Sequence, residues 1–227
     1  MPFVILLLII LAMIFGPRWW VRKVLAENSN TREDLPGTGA ELAQHLLEKF
    51  DISNVGVEQT DTGDHYDPEA KKIRLTPDVM TGKSLTAVAT AAHEFGHALQ
   101  DARNYPALLT RTLLVKRAQT IQTLAGAAIF AIPLMAIIPG MAMFSRILLL
   151  GILASMFITT LTHLITLPVE FDASFERALP ILREGRYVSE QDLLTVRKIL
   201  LACALTYVSQ SLISVLNISR WIRILRR

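Results

Sequence analysis

Residues 85–100 read Leu85-Thr-Ala-Val-Ala-Thr-Ala-Ala-His93-Glu94-Phe95-Gly96-His97-Ala-Leu-Gln100. The run is rich in alanine, has no proline, and follows Ser84, a residue suited to cap a helix. It predicts a helix. On a helix, positions i and i+4 share a face, so His93 and His97 can point two imidazoles at one ion. Glu94 stands beside them, placed to take a proton from a water activated by that ion. The pattern H-E-x-x-H arises by chance in on the order of one chain in a hundred or two of this length. Its helical setting favours a zinc hydrolase over a helix with two ordinary histidines.

A catalytic zinc has three protein ligands and one open position. The extended pattern H-E-x-x-H-x-x-G-x-x-H fails, because Gln100 and Arg103 stand where glycine and histidine would be. The third ligand must come from elsewhere. His163 lies in a long apolar stretch, where a polar side chain is costly. It serves equally well as a histidine hydrogen-bonded between helices. Glu170 follows Pro168 at the start of a charged helix and is the better placed. Its ordinary role there is to offset a helix N-terminus. His45 and His65 sit in surface-like segments and carry little weight.

The 227 residues are 52% hydrophobic with mean hydropathy +0.39, too apolar for one ordinary water-facing domain. The apolar residues come in blocks. Ala118–Ser145, Ile147–Val169 and Ile199–Ser219 carry no charge, and each is long enough for the roughly 20 helical residues that cross a bilayer. Pro2–Gly16 is shorter and is extended by Trp19 and Trp20 as an interfacial anchor. Val24-Leu25-Ala26 resembles a leader cleavage site. No positive charge precedes the apolar run, however, and Arg18, Arg22 and Lys23 follow it, which favours a retained anchor. The basic residues flank the apolar blocks, which argues against a nucleic-acid surface. Their distribution predicts a multi-pass membrane protein with its polar block in the cytoplasm. Arg220, Arg223, Arg226 and Arg227 conflict with that orientation. The single cysteine, Cys203, excludes an internal disulfide and reads as a small buried hydrophobe.

Between the apolar blocks the pattern predicts a helix over 40–50, strands over 55–59, 64–66 and 72–75, a turn at Asp67-Pro68-Glu69, and then the metal helix. Asn28–Gly39 reads as a linker. A helical hairpin turns near Pro139-Gly140, with a kink at Pro133. An amphipathic helix spans 169–183, and Ser189 to Asp192 caps a last helix.

His93-Glu-Phe-Gly-His97-Ala-Leu-Gln100, with Leu167-Pro-Val-Glu170-Phe-Asp-Ala-Ser174 downstream, resembles the YugP-like neutral zinc metallopeptidases of bacterial membranes. More distantly the chain is similar to the HtpX and CAAX prenyl protease group of gluzincins. The resemblance covers most of the chain and implies a zinc metalloendopeptidase acting on protein or peptide substrates, with Glu94 catalytic. In that group the second motif is Glu-x-x-x-Asp, which implies Glu170 as third ligand with His93 and His97. Ser174 stands at the Asp position, so the usual support for a histidine is in question. Asp172 or Asp101 is a substitute. His163, Arg177 and Tyr207 are candidate donors to the developing oxyanion.

The expected fold is an α-helical membrane protein with a small α+β zincin-like domain inserted between the first and second transmembrane helices. Its parts are an anchor (1–26), the zincin-like block (27–117), a transmembrane hairpin (118–168), an amphipathic helix with the third ligand (169–188), and a transmembrane or interfacial helix (189–227). The lipid bilayer is an expected partner. A membrane scaffold with a structural zinc, closed by a fourth ligand, is the alternative; a metal transporter is weaker. Substrate is expected along Lys72–Thr76 as an added strand.

Overall fold

A computed structural model describes residues 2–128 and 130–215. Its elements are α1 (Pro2–Glu27), α2 (Gly39–Lys49), β1 (Gly56–Gln59), β2 (His65–Asp67), β3 (Lys72–Leu75), α3 (Pro77–Met80), α4 (Leu85–Ala102), α5 (Pro106–Ala128), α6 (Ala131–Ile137), α7 (Ala142–Ile165), α8 (Leu167–Phe171), a π-helical segment (Asp172–Ala178), α9 (Leu179–Glu184) and α10 (Leu193–Val215). The chain divides into two units. One takes residues 16–109 and 167–206, the other 1–15, 110–166 and 207–227.

The first unit is built around α4. Ser84 caps it, its hydroxyl accepting from the Ala87 amide at 3.1 Å. Every residue from Ala87 to Gln100 is buried. A helix apolar on nearly all sides has to be central, and α4 packs against α2, the sheet, the π-helical segment and α9. Helix α2 begins with a capping box: Thr38 N donates to Glu41 Oε2 at 2.7 Å, and Glu41 N to Thr38 Oγ1 at 3.2 Å. Its Leu42, Leu46 and Leu47 face the core. The segment expected as a linker is pinned instead. Arg32 N donates to Lys83 O, and the Arg32 guanidinium pairs with Asp34 and Asp192.

The sheet has the order β1-β3-β2. β1 runs parallel to β3 with Gly56 opposite Lys72, and β2 runs antiparallel with Tyr66 opposite Ile73. β3 is therefore paired on both sides. Its backbone cannot take a further strand, so Lys72–Thr76 does not serve as the substrate edge expected from the sequence.

In the second unit α6 and α7 form the expected hairpin, turned at Pro139-Gly140, where Gly140 has φ +83°. The first limb breaks before α6, and Pro133 falls in that helix's first turn. There it lacks the amide that would continue α5. Large apolar side chains of this unit are exposed, among them Leu124, Phe130, Met143 and Phe157.

Among the described residues no helix is long and apolar enough to cross a membrane. This corrects the expected fold class and localisation: a multi-pass protein of the cell membrane, its block facing the cytoplasm, is not supported, nor is the bilayer as a partner. The reason is where the apolar runs fall. Gly16–Glu27 of α1 belongs to the first unit, and its Val21 and Val24 are core residues. The uncharged run 118–145 is divided among α5, α6 and the start of α7. The run 147–169 ends α7 at Ile165 and passes into α8, where Val169 is buried. The last run starts inside α10, where Ile199, Leu200, Ala202 and Cys203 fill the same core. Arg220, Arg223, Arg226 and Arg227 lie outside the described residues.

Candidate metal centre

Besides Thr90, four polar side chains are buried in α4: His93, Glu94, His97 and Gln100, none more than 5% exposed. Burial of such groups is costly without partners. The partners come from the segment after the second unit. Pro168 sits in the first turn of α8, the position a proline tolerates, and two residues later Glu170 is carried inward to 2% exposure. Glu170 Oε2 lies 3.1 Å from His97 Nε2 and 3.4 Å from His93 Nε2.

The ring protonation follows from the hydrogen bonds. The Ser174 hydroxyl donates its one proton to the Leu200 carbonyl at 3.1 Å, so it accepts from His93 Nδ1 at 2.9 Å. The Gln100 amide nitrogen donates to Val169 O at 2.9 Å and Asp172 Oδ2 at 2.7 Å, so its oxygen accepts from His97 Nδ1 at 2.9 Å. Each imidazole then carries a proton on Nδ1, an arrangement that in the neutral tautomer leaves Nε2 as the ligand atom. Two nitrogen lone pairs and a carboxylate oxygen converge in a buried space, and one cation satisfies all three. The ligand atoms of His93, His97 and Glu170 lie within 4.8 Å of one another and could hold a metal ion. Tetrahedral zinc with bonds of about 2.0–2.1 Å to nitrogen and oxygen has ligand–ligand edges of roughly 3.4 Å. The 3.1 and 3.4 Å separations match that edge, and two nitrogens with one carboxylate form a zinc-type donor set.

A scan of known families places residues 3–226 in the family described as "Putative neutral zinc metallopeptidase". The chain belongs to this family. It is also 34% identical to "Putative membrane protease YugP" of Bacillus subtilis (strain 168) over 230 residues, covering 99% of this chain and 96% of that protein. No solved structure matches it. The YugP-like resemblance read from the two motifs is therefore correct. Zinc is the metal of this metallopeptidase family, and proteins or peptides are its substrates.

The remaining candidates divide clearly. Ser174 is in the support of the site, on His93, despite replacing an aspartate. Asp172 accepts from Gln100 and is itself paired with Arg177 Nε at 2.7 Å. The Arg177 guanidinium stacks 5.4 Å from the Tyr105 ring. Asp101 is engaged elsewhere. It accepts from the Tyr66 hydroxyl and from Lys71 Nζ, tying α4 to the sheet; burial and this bond raise the Tyr66 phenol pKa. Tyr207 belongs to the other unit, where its ring lies 5.4 Å from the Arg111 guanidinium. The His163 side chain lies outside the described residues. Cys203 is the buried hydrophobe expected, its thiol pushed up to about 12 by burial. Gln100 is the residue that sequence reasoning missed. Its spacing of three from His97 on a helix, and its polarity within a buried stretch, are the signals that mark it.

Proposed function

We propose that the chain is a zinc-dependent endopeptidase of the gluzincin type, with His93, His97 and Glu170 as metal ligands and Glu94 as the catalytic residue. The observation that carries this is the convergence of two Nε2 atoms and a Glu170 oxygen, all buried, with Glu94 next to His93 on the same helix. Zinc held there supplies Lewis acidity toward a scissile carbonyl and an attacking water. Glu94 accepts a proton from that water as it attacks and passes it to the leaving amine nitrogen. Ser174 and Gln100 keep each imidazole with its Nε2 toward the metal.

Three donors rather than four make up the cluster among the described residues. That supports a catalytic site with an open position over a closed structural one. An extended, flexible protein segment is the substrate class this arrangement serves. β2 suits it as a docking edge, because β2 pairs on one side only among the described residues and its Tyr66 is fixed to α4 through Asp101.

The test compares wild type with Glu94→Gln for zinc content and for cleavage of an unfolded protein. The variant is expected to keep its zinc and to lose activity by about 10²–10⁴-fold. Equal proteolysis by the two removes the enzyme reading. Glu170→Ala is expected to lower zinc occupancy, and Glu176→Ala, on the exposed face, to leave it unchanged. Wild-type occupancy in Glu170→Ala would displace Glu170 from the ligand set.

A further inference from the structure

Gln100 is fully buried, yet a side-chain amide has four hydrogen-bonding positions to satisfy. Three are met by partners on three elements. Its oxygen accepts from His97 on α4, and its nitrogen donates to the carbonyl of Val169 on α8 and to Asp172 in the π-helical segment. The amide cannot be turned over, since its oxygen would then face two acceptors. Val169 immediately precedes Glu170, so the bond to its carbonyl fixes the backbone from which that carboxylate projects. One side chain thus holds a histidine and a carboxylate that are 73 residues apart in sequence. Behind it, Asp172 is held by Arg177, and Arg177 by Tyr105. His93 is supported differently: its Nδ1 donates to Ser174, whose hydroxyl donates to the Leu200 carbonyl on α10.

We propose that Gln100 is a positioning residue that sets the separation between His97 and Glu170 and so sets the affinity of the site for zinc, resting on the ligand assignment above. It does two jobs at once. It keeps the His97 proton on Nδ1, and it clamps α8 to α4 at the turn where the third ligand enters. The polar contacts, rather than the volume, carry both.

Gln100→Met keeps nearly the same volume and removes all three bonds. Zinc affinity, measured by competition with a chromophoric chelator, is expected to fall by about ten- to a hundred-fold. The visible ligand-field spectrum of the cobalt(II)-substituted protein is expected to change, which loss of stability alone would not cause. A second pair guards against a variant that fails to fold. Gln100→Glu keeps an acceptor for His97 but sets a carboxylate against Asp172. Adding Asp172→Asn restores a donor facing that carboxylate, so the double variant is expected to bind zinc more tightly than Gln100→Glu alone. Wild-type affinity and spectrum in Gln100→Met, or equal affinity in the single and double variants, would overturn the proposal while leaving the metal site standing. Failure of the wild type to bind zinc or cobalt would instead overturn the ligand assignment and this proposal together.

Discussion

At Gly96, between the two histidines, a Cβ would come 2.6 Å from the carbonyl oxygen of Ala173. Alanine is normally the better helix former by roughly 0.5–1 kcal/mol. Here that gain is outweighed, because the obstacle is backbone and cannot rotate away; overpacking of this kind costs about 1–3 kcal/mol. Gly96→Ala is therefore expected to lower both the melting temperature and zinc occupancy, since Ala173 adjoins Ser174. A variant as stable as wild type, with full zinc, would show that α4 and the π-helical segment do not pack this closely. The three residues of H-E-x-x-H were legible in the sequence because their geometry is local: four residues make one helical turn. Gln100 was not. Against the longer zinc pattern it appears only as a mismatch, and its partners Val169 and Asp172 are about 70 residues away.

Among the elements, the three strands and the helices α2 and α4 lie within a residue or so of the positions expected from hydrophobic spacing and caps. The helix expected over 169–183 is different. It is interrupted by the π-helical segment, in which Leu179 N donates to Ser174 O, five residues back. Periodicity of 3.6 does not reveal such an insertion, which is found often at functional sites. The start of α10 also depends on a distant partner. Asp192 is capped locally by Ser189 and also paired with Arg32 at 3.0 Å. The Arg32 guanidinium, followed by the Ser189 hydroxyl, holds the Asp192 carboxyl below the usual carboxylate range. A depressed folded-state pKa contributes stability that is present above the unfolded value of about 4 and is lost as pH falls through the folded one. Arg32→Ala is thus expected to lower the melting temperature at pH 7, with the deficit shrinking as the pH drops below about 4. A deficit that stays constant across that range would show that the pair contributes nothing by charge.

Over the whole molecule, the proposed ligand set, drawn from α4 and from α8, would make zinc binding and folding of the first unit one equilibrium. A ligand bound only by the native state stabilises it by about 4 kcal/mol at a thousand times its dissociation constant. Removal of zinc by a chelator is expected to lower the melting temperature of the wild type and to leave His93→Ala unaffected. A chelator-insensitive wild type would argue against a metal that closes the site between the two helices. The same scale explains the correction to the fold class. The apolar blocks were legible as composition, but composition does not say what covers a side chain. Val21, Val24, Ile199 and Leu200 are apolar because they fill the core around α4.

The sequence by itself determined the helix that carries H-E-x-x-H, the order of the small sheet's strands along the chain, and, through the two motifs, the family. Each of these rests on interactions within a few residues or on a pattern that local spacing preserves. Only the tertiary structure decided which strand lies in the centre of the sheet, which apolar runs are core, and how Ser174 and Gln100 fix the imidazoles. Those depend on contacts between segments far apart in the chain. Close packing and the need to pair every buried polar group select them, and neither constraint is written at a fixed sequence separation.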